Sequence, residues 1–307
     1  MDSQAERIRD AERRLFARTG LTVEERFVDL KVEDLPLRLR VLETGSGPPV
    51  LLLHPGGYFG AQWAPILRHL PGHRLIAVDF AGHGLSDGVD YRKTDVRRHI
   101  VAMLRQLMSE LGLASASFVG NSLGGSGSLW LAIDEPGLVE KVVILGVPGP
   151  ILPGGKPNLV LTLLSIPGLN RLIMKMPLNA QRSRAMSKAM LMQAAVENSP
   201  PEIFEIHALA NGRPEAALTL STFMQSVMRF GAANSKILLT DAELAGIAAP
   251  VHFIWGDGDI YGAPEMAERV VPLMQKASLE IHQAGHCPQL SDPALCGKSI
   301  TGFLSAA

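Results

Sequence analysis

The sequence predicts an α/β fold: a mostly parallel sheet with helices on both faces and an inserted α-helical cap. Three observations support this prediction. Short apolar runs typical of buried strands alternate with longer helix-like segments through most of the 307 residues. A Gly-x-Ser-x-Gly pentapeptide, residues 120–124, lies between such a strand and such a helix. The serine of this pentapeptide, an aspartate and a histidine occur in that order along the chain, each in a segment after a predicted strand.

The predicted elements begin with a helix at residues 3–18, whose many Arg and Glu side chains predict a solvated face, with a lid or an oligomer contact as the alternative. Alternating apolar and polar residues at 26–30 and 37–42 predict a first hairpin. The remaining predicted strands are 50–53, 75–78, 117–119, 142–145, 251–255 and 279–281. Helices are predicted at 63–70, 96–111, 123–134 and 264–274.

Between Pro148 and Ser235 this alternation stops, and Leu- and Met-rich helices are predicted at 159–166, 169–176, 181–193, 201–210 and 216–230. We therefore divide the chain into a first core part (1–147), a helical cap (148–235) and a second core part (236–307). Seven of the twelve methionines fall in the cap: Met174, Met176, Met186, Met190, Met192, Met224 and Met228. Flexible thioether side chains suit either plain core packing or an adaptable apolar pocket.

The pentapeptide carries the candidate nucleophile, Ser122. A serine hydroxyl is a weak nucleophile until a sharp turn exposes it and a base takes its proton. His286, which follows a glycine after the last predicted strand, is the candidate base. A carboxylate behind that imidazole would fix its tautomer, and Asp257 and Asp259 both qualify on chemistry.

This pattern resembles the α/β-hydrolase family. Its elbow, its Ser-Asp-His order and four further segments agree: residues 54–57, 79–86, 255–259 and 285–288. The resemblance covers nearly all of the chain from about Arg26 onward, except the cap. The family's Trp-Gly-x-x-Asp spacing selects Asp259 as the acid, which makes the implied triad Ser122, His286 and Asp259.

The resemblance also implies an oxyanion hole and a pocket wall. The amides of Leu123 and Gly56 are the expected oxyanion donors, with Gly57 as neighbour, because Pro55 replaces the commoner glycine and lacks an amide hydrogen. The expected substrate-binding residues are Tyr58, Phe59, Trp63 and Asn121.

Other motif residues receive weaker assignments. Asp79, Gly82, Gly84 and Ser86 are expected to shape a turn beside the pocket, with His83 as a possible substrate contact. The cap arginines Arg182, Arg184 and Arg213 could meet a substrate carboxylate, although exposed helix positions are their default interpretation.

Composition restricts the partners and excludes several classes of site. A formal net charge of -1 gives no reason to expect nucleic acid or a membrane as partner. The charged N-terminus and the two cysteines, Cys287 and Cys296, predict a cytoplasmic chain with free thiols. No metal or cofactor motif is present, so we expect neither. The oligomeric state has no sequence signal.

The expected activity is a cofactor-independent serine hydrolase that cleaves a small, largely apolar ester or lactone. Two alternatives remain open. The Gly-Asn-Ser-Leu-Gly-Gly elbow is also similar to that of carbon-carbon bond hydrolases, and the fold supports non-hydrolytic biosynthetic steps. A ligand receptor with slow turnover is the alternative from another functional class.

Overall fold

The computed structural model describes residues 3–154, 162–163, 165–166, 168–174, 176–189, 192–229 and 232–306. Met190 and parts of the helices predicted at 159–166, 169–176, 181–193 and 216–230 lie outside the described residues. Across the described part, no helix is both long enough and apolar enough to cross a bilayer.

Eight of the described strands form one sheet. Their bounds are β1 Glu24–Val32, β2 Leu35–Gly45, β3 Pro49–Leu53, β4 Arg74–Asp79, β5 Ala116–Asn121, β6 Val139–Leu145, β9 Val251–Gly256 and β10 Ala277–His282. The strand order is β1-β2-β4-β3-β5-β6-β9-β10. β2 pairs antiparallel with β1 and β4, and the other neighbours are parallel. The mostly parallel sheet predicted from the sequence is therefore confirmed.

Helices cover both faces of this sheet. The first four are α1 Ser3–Thr19, α2 Ala64–Leu67, α3 Val96–Glu110 and α4 Leu123–Asp134. Alternate residues of β3 enter two separate apolar clusters: Leu51 packs with α3 and α4, and Leu52 packs with α1 and α2. Because successive strand residues point to opposite faces, each face needs its own helical layer.

The segment between β6 and β9, which we call the insert (148–235), is mainly helical in its described part. Its helices are α5 Leu169–Met174, α6 Ala180–Ala189, α7 Gln193–Asn198, α8 Pro201–Asn211 and α9 Pro214–Val227. A two-residue strand pair, β7 Met228–Arg229 with β8 Ala232–Ala233, follows α9. The chain then returns to the core through α10 Asp241–Ala245, α11 Pro264–Val270, α12 Pro288–Ser291 and α13 Pro293–Ser305.

Helix α1 has a buried face in addition to the solvated face expected from its sequence. Ile8 and Leu15 are fully buried and share an apolar cluster with Ile203 of α8. On the same helix, Glu12 forms a buried ion pair with Arg40 of β2. Helix α1 thus packs against both the sheet core and the insert.

Candidate active site

Ser122 occupies a strained turn between β5 and α4. Its backbone angles are φ 51° and ψ -110°, a region that non-glycine residues rarely adopt. The turn depends on close packing of its neighbours: a Cβ at Gly124 would collide with the carbonyl oxygen of Leu53. Gly124 therefore has to be glycine for α4 to begin this close to β3, and Ser122 lies at the carboxyl end of the sheet.

His286 and Asp259 are joined by a hydrogen bond. Nδ1 of His286 donates to Oδ2 of Asp259 over 2.8 Å, and both residues are buried. The carboxylate also accepts the amide hydrogens of Val147 and Tyr261, at 2.9 and 3.0 Å. With the proton on Nδ1, the imidazole keeps a lone pair on Nε2 that can act as a base.

Asp257, the other carboxylate in this loop, has a different partner. It is exposed, and its Oδ1 accepts the backbone amide hydrogen of Ala284 at 3.0 Å. This bond connects the loop after β9 to the segment before His286. Asp257 therefore supports the loops from outside, whereas Asp259 contacts the imidazole.

Ser122 and His286 both line one cavity of about 1180 Å³. Among the described residues, Ser122 Oγ and His286 Nε2 have no hydrogen bond to each other. Such bonds commonly tighten only when substrate is bound, so the shared cavity wall is the relevant geometry.

The expected oxyanion donors lie along the same wall, which includes Gly56, Gly57 and Leu123. Within the described part of the chain, the amides of Gly56 and Leu123 have no hydrogen-bond partner. The amide of Gly57 donates to Nε2 of His83 at 3.0 Å, so it is already engaged. Gly56 and Leu123 are thus the two amides free to bind an oxyanion.

Two buried histidines hold the backbone of this loop. Nε2 of His54 accepts the amide hydrogen of Phe80 at 3.0 Å, and Nδ1 donates to the Pro55 carbonyl at 2.8 Å. His83 likewise donates from Nδ1 to the Ala81 carbonyl at 2.8 Å. Burial lowers the pKa of both imidazoles, which keeps them neutral and able to accept. The sequence suggested His83 as a substrate contact, but in the structure His83 positions the amide of Gly57.

Asp79 supports the same region from the core. Its Oδ1 accepts the amide of Gly60 at 2.6 Å, and its Oδ2 accepts the amide of Leu85 at 3.0 Å. Arg40, which is 1% exposed, completes the set with a 3.1 Å bond to Oδ2. This geometry agrees with the turn-forming role expected for the 79–86 segment.

Asn121 is fully buried and does not line the cavity, contrary to its expected substrate contact. Its Nδ2 donates to the carbonyls of Leu145 and His286, at 2.6 and 2.9 Å. Its Oδ1 accepts from Nε2 of Gln289 at 3.1 Å. The residue before Ser122 therefore fixes the segment that carries His286.

The three aromatic residues expected on the pocket wall occupy different environments. Tyr58 lines the cavity, and its ring lies 4.9 Å from the ring of His207 in α8. Phe59 and Trp63 are fully buried in the core cluster and do not reach the cavity. Both follow Tyr58 closely in sequence, but the chain turns into the core there.

The insert also contacts the oxyanion loop directly. Nδ2 of Asn211 donates to the Gly57 carbonyl at 2.7 Å, and the Tyr58 hydroxyl lies 3.4 Å from Oγ of Ser187. Nothing in the sequence singled out Asn211. His207 contacts Oγ of Ser183 at 3.0 Å, and burial lowers its pKa to about 4.

The described insert methionines named in the sequence analysis all line the cavity: Met174, Met176, Met186, Met192, Met224 and Met228. Of the insert arginines, Arg182 and Arg213 line it and Arg184 does not. Arg213 donates to the Gly84 carbonyl at 2.6 Å, and Arg182 to the Pro177 carbonyl at 2.9 Å. Their guanidinium groups are thus partly engaged by backbone.

Cys287 and Cys296 are free and buried, as expected. Burial raises the pKa of the Cys287 thiol, so this neighbour of His286 stays protonated at neutral pH. The described residues contain no group of three or more side chains suited to bind a metal ion.

Comparison with known proteins identifies the family. The profile of the "Alpha/beta hydrolase family" matches residues 50–296. The chain belongs to this family. A 2-hydroxy-6-oxononadienedioate/2-hydroxy-6-oxononatrienedioate hydrolase from Cupriavidus pinatubonensis is 26% identical over 296 residues, which cover 91% of this alpha/beta hydrolase and 94% of that protein.

Solved structures share the fold over nearly the whole chain. Carboxylesterase CesB from Bacillus subtilis superposes with a TM-score of 0.76 at 18% identity, covering 99% of both chains. A 2-hydroxy-6-oxo-6-phenylhexa-2,4-dienoate hydrolase from Rhodococcus sp. strain RHA1 gives 0.72 at 21% identity, covering 93% of this chain and 100% of that one. At such identities the likeness concerns the fold alone.

Proposed function

We propose that this protein is a cofactor-independent serine hydrolase that cleaves an apolar ester or lactone through an acyl-enzyme. One observation carries the proposal. His286 is bonded to Asp259 at 2.8 Å and shares a cavity wall with Ser122, which occupies a strained elbow. A nucleophile, a base and an orienting carboxylate in this arrangement are what acyl transfer requires.

The proposed reaction has two steps. Oγ of Ser122 attacks the substrate carbonyl carbon while Nε2 of His286 takes its proton, and the amides of Leu123 and Gly56 bind the oxyanion. Collapse of this intermediate breaks the ester bond, and His286 returns the proton to the leaving alkoxide. Water then attacks the acyl-enzyme by the same route, which releases the acid and restores Ser122.

The cavity argues for a larger substrate than the sequence suggested. Ligand cavities commonly measure about 300–1000 Å³, and this one reaches about 1180 Å³. No Asp or Glu is among its described lining residues. We therefore propose that the insert acts as a cap over a long or bulky apolar acyl group.

A panel of p-nitrophenyl esters of graded chain length tests this activity. Each methylene moved from water into an apolar site contributes about 0.8 kcal/mol, so kcat/KM should rise by ~3- to 4-fold per carbon until the cavity is full. Ser122→Ala is the control for uncatalysed cleavage. A profile that is highest for acetate and falls with length would contradict an apolar acyl site.

A carbon-carbon bond hydrolase is the second candidate. The relative from Cupriavidus pinatubonensis is named for cleaving dicarboxylates, and Arg182 and Arg213 of this chain line the cavity. Faster cleavage of a vinylogous keto diacid than of any ester in the panel would favour this candidate. Non-hydrolytic biosynthesis would appear as acyl transfer to an acceptor other than water. A slow-turnover receptor would bind the esters without releasing p-nitrophenol.

A further inference from the structure

A cluster of polar side chains interrupts the cavity wall beside the oxyanion loop. Tyr58 follows that loop, and its ring lies 4.9 Å from the ring of His207 in α8. Both residues line the cavity, and so do Ser187 of α6 and Asn211 of α8. Asn211 ties the cluster to the loop, since its Nδ2 donates to the carbonyls of Gly57 and His207 at 2.7 and 2.9 Å. A polar patch thus borders the oxyanion loop in a wall made mostly of apolar side chains.

His207 brings a free ring nitrogen to this patch. Its Nδ1 lies 3.0 Å from Oγ of Ser183. Its Nε2 has no hydrogen-bond partner within the described part of the chain and is not sealed inside the protein. Because His207 is only 4% exposed and lines the cavity, this nitrogen faces little bulk water. A bound molecule that offers a hydrogen-bonding atom there would therefore be stabilised.

The Tyr58 hydroxyl is held only loosely. It lies 3.4 Å from Oγ of Ser187, whereas bonds between hydroxyl oxygens usually measure about 2.7–2.8 Å. Ser187 donates its one hydroxyl proton to the Ser183 carbonyl at 3.1 Å, so Tyr58 has to be the donor. Tyr58 can therefore exchange this long bond for a shorter one to an oxygen of a bound molecule.

The patch carries no charge. Burial lowers the pKa of His207 to about 4 and raises the pKa of the Tyr58 hydroxyl, so both groups are neutral at neutral pH. A substrate carboxylate would find cations instead at Arg182 and Arg213, which also line the cavity. The patch therefore suits a neutral oxygen, since a charged group would lose its hydration there without an opposite charge in return.

The patch also lies close to the reacting groups. Tyr58 follows the oxyanion donor Gly56 by two residues. Its side chain packs against the apolar cluster that contains Cys287, the neighbour of His286. An oxygen bound by Tyr58 would therefore belong to the part of the substrate near the reacting carbonyl.

We propose that Tyr58 and His207 form a subsite for a hydroxyl group of the substrate, and that the substrate is an apolar ester with a hydroxyl near the carboxyl end of its acyl chain. A hydroxyl suits both partners, because it donates and accepts hydrogen bonds. The apolar remainder of the wall takes the rest of the chain. The inference rests on the proposed hydrolase function, which supplies the reacting carbonyl at Ser122.

Three methyl esters of equal chain length test the subsite: octanoate, 3-hydroxyoctanoate and 8-hydroxyoctanoate. Titration of the released acid gives kcat/KM, and calorimetry on Ser122→Ala gives affinity without turnover. Tyr58→Phe removes the hydroxyl, and His207→Asn keeps a polar atom at the position of Nδ1 but none at Nε2. The matched controls are Tyr91→Phe, outside the cavity wall, and His73→Asn, in a surface turn.

We expect wild type to prefer the 3-hydroxy ester over the plain ester by ~10-fold in kcat/KM, and Ser122→Ala to show a similar ratio of affinities. The 8-hydroxy ester should gain no such advantage, since its hydroxyl would meet apolar side chains. Tyr58→Phe and His207→Asn should each lower the ratio by ~3- to 10-fold, and both controls should retain it. Tyr58→Phe loses a single oxygen atom, so it preserves the test if His207→Asn does not fold.

A ratio that stays at the wild-type value in both variants would overturn the proposal, because the polar groups would then serve only to pack α6 and α8 on the loop. A wild type without preference, or with equal preference for the 8-hydroxy ester, would also overturn it. Preferential binding of the 3-hydroxy ester without turnover would support the subsite and contradict the hydrolase function.

Discussion

Charged side chains serve different purposes in the sheet core and in the insert. In the core, Arg40 is buried between Glu12 and Asp79, and Asp79 in turn holds the amides of Gly60 and Leu85. In the insert, Arg182, Arg184 and Lys188 of α6 are exposed, and none of the three has an ion pair among the residues that the structure describes. The core charges are buried and fix backbone near the site, whereas the cations of α6 are exposed to solvent.

The two regions also contribute different chemistry to the cavity. The core supplies the hydroxyl, imidazole and carboxylate that could react, each at the end of a strand or in the loop that follows. The insert supplies thioether and alkyl side chains, together with Asn211 at the oxyanion loop. We therefore expect reactivity to depend on the core and selectivity to depend on the insert.

The largest effect is expected from the core carboxylate. Asp259→Asn should lower kcat by ~10³- to 10⁴-fold, because the amide cannot hold His286 in its reactive tautomer. Asp257→Asn is the matched control and should stay within about 3-fold of wild type, since Asp257 contacts only the loop. Steady-state kcat values of the two variants on one ester distinguish the roles of the two carboxylates. A greater loss in Asp257→Asn would reverse the assignment of the two carboxylates.

An intermediate effect is expected where the insert meets the core. Asn211→Ala removes the bond to the Gly57 carbonyl and should lower kcat by ~3- to 10-fold with little change in KM, because it loosens the oxyanion loop. Asn198→Ala provides the control, since Asn198 also joins the insert to the core, through the Ser291 carbonyl at 2.6 Å, but away from the loop. If both variants changed kcat equally, insert packing in general would be responsible.

Some features of the core were predicted from the sequence and others were not. The glycine spacing and the order of the predicted strands indicated the sheet, the turn at Ser122 and the segment that carries His286, because each of these patterns is local in the sequence. Asn121 and Phe59 were assigned to substrate contact from their position next to the motifs. The structure buries both, since a one-residue step along a strand or turn reverses the direction of a side chain.

Longer-range contacts had no sequence signal. The bond from Asn211 to Gly57 joins residues 154 positions apart, and a lone Asn on a helix carries no pattern. Helix α13, which packs Ile300 into the core, was not predicted.

The smallest effect is expected on the pH dependence of stability. Burial lowers the pKa of His207 from 6.5 to about 4, so between these values the unfolded chain binds a proton that the folded chain does not. Stability contributed by the neutral imidazole is therefore lost as the pH falls through this window. On acidification through this window, the melting temperature of His207→Asn should fall by ~5 °C less than the melting temperature of wild type. His73→Asn, in a surface turn, is the control, and an unchanged decrease in His207→Asn would contradict the shift.

Covalent labelling with a fluorophosphonate, followed by peptide mapping, tests the central claim most directly. We expect a single label on Ser122 in wild type. We expect no label in Ser122→Ala, and slower labelling in Asp259→Asn than in Asp257→Asn. Melting temperatures near that of wild type would establish that the variants are folded. A folded wild type that takes no label, or takes it on a residue other than Ser122, would contradict the assignment of the reactive chemistry to this elbow.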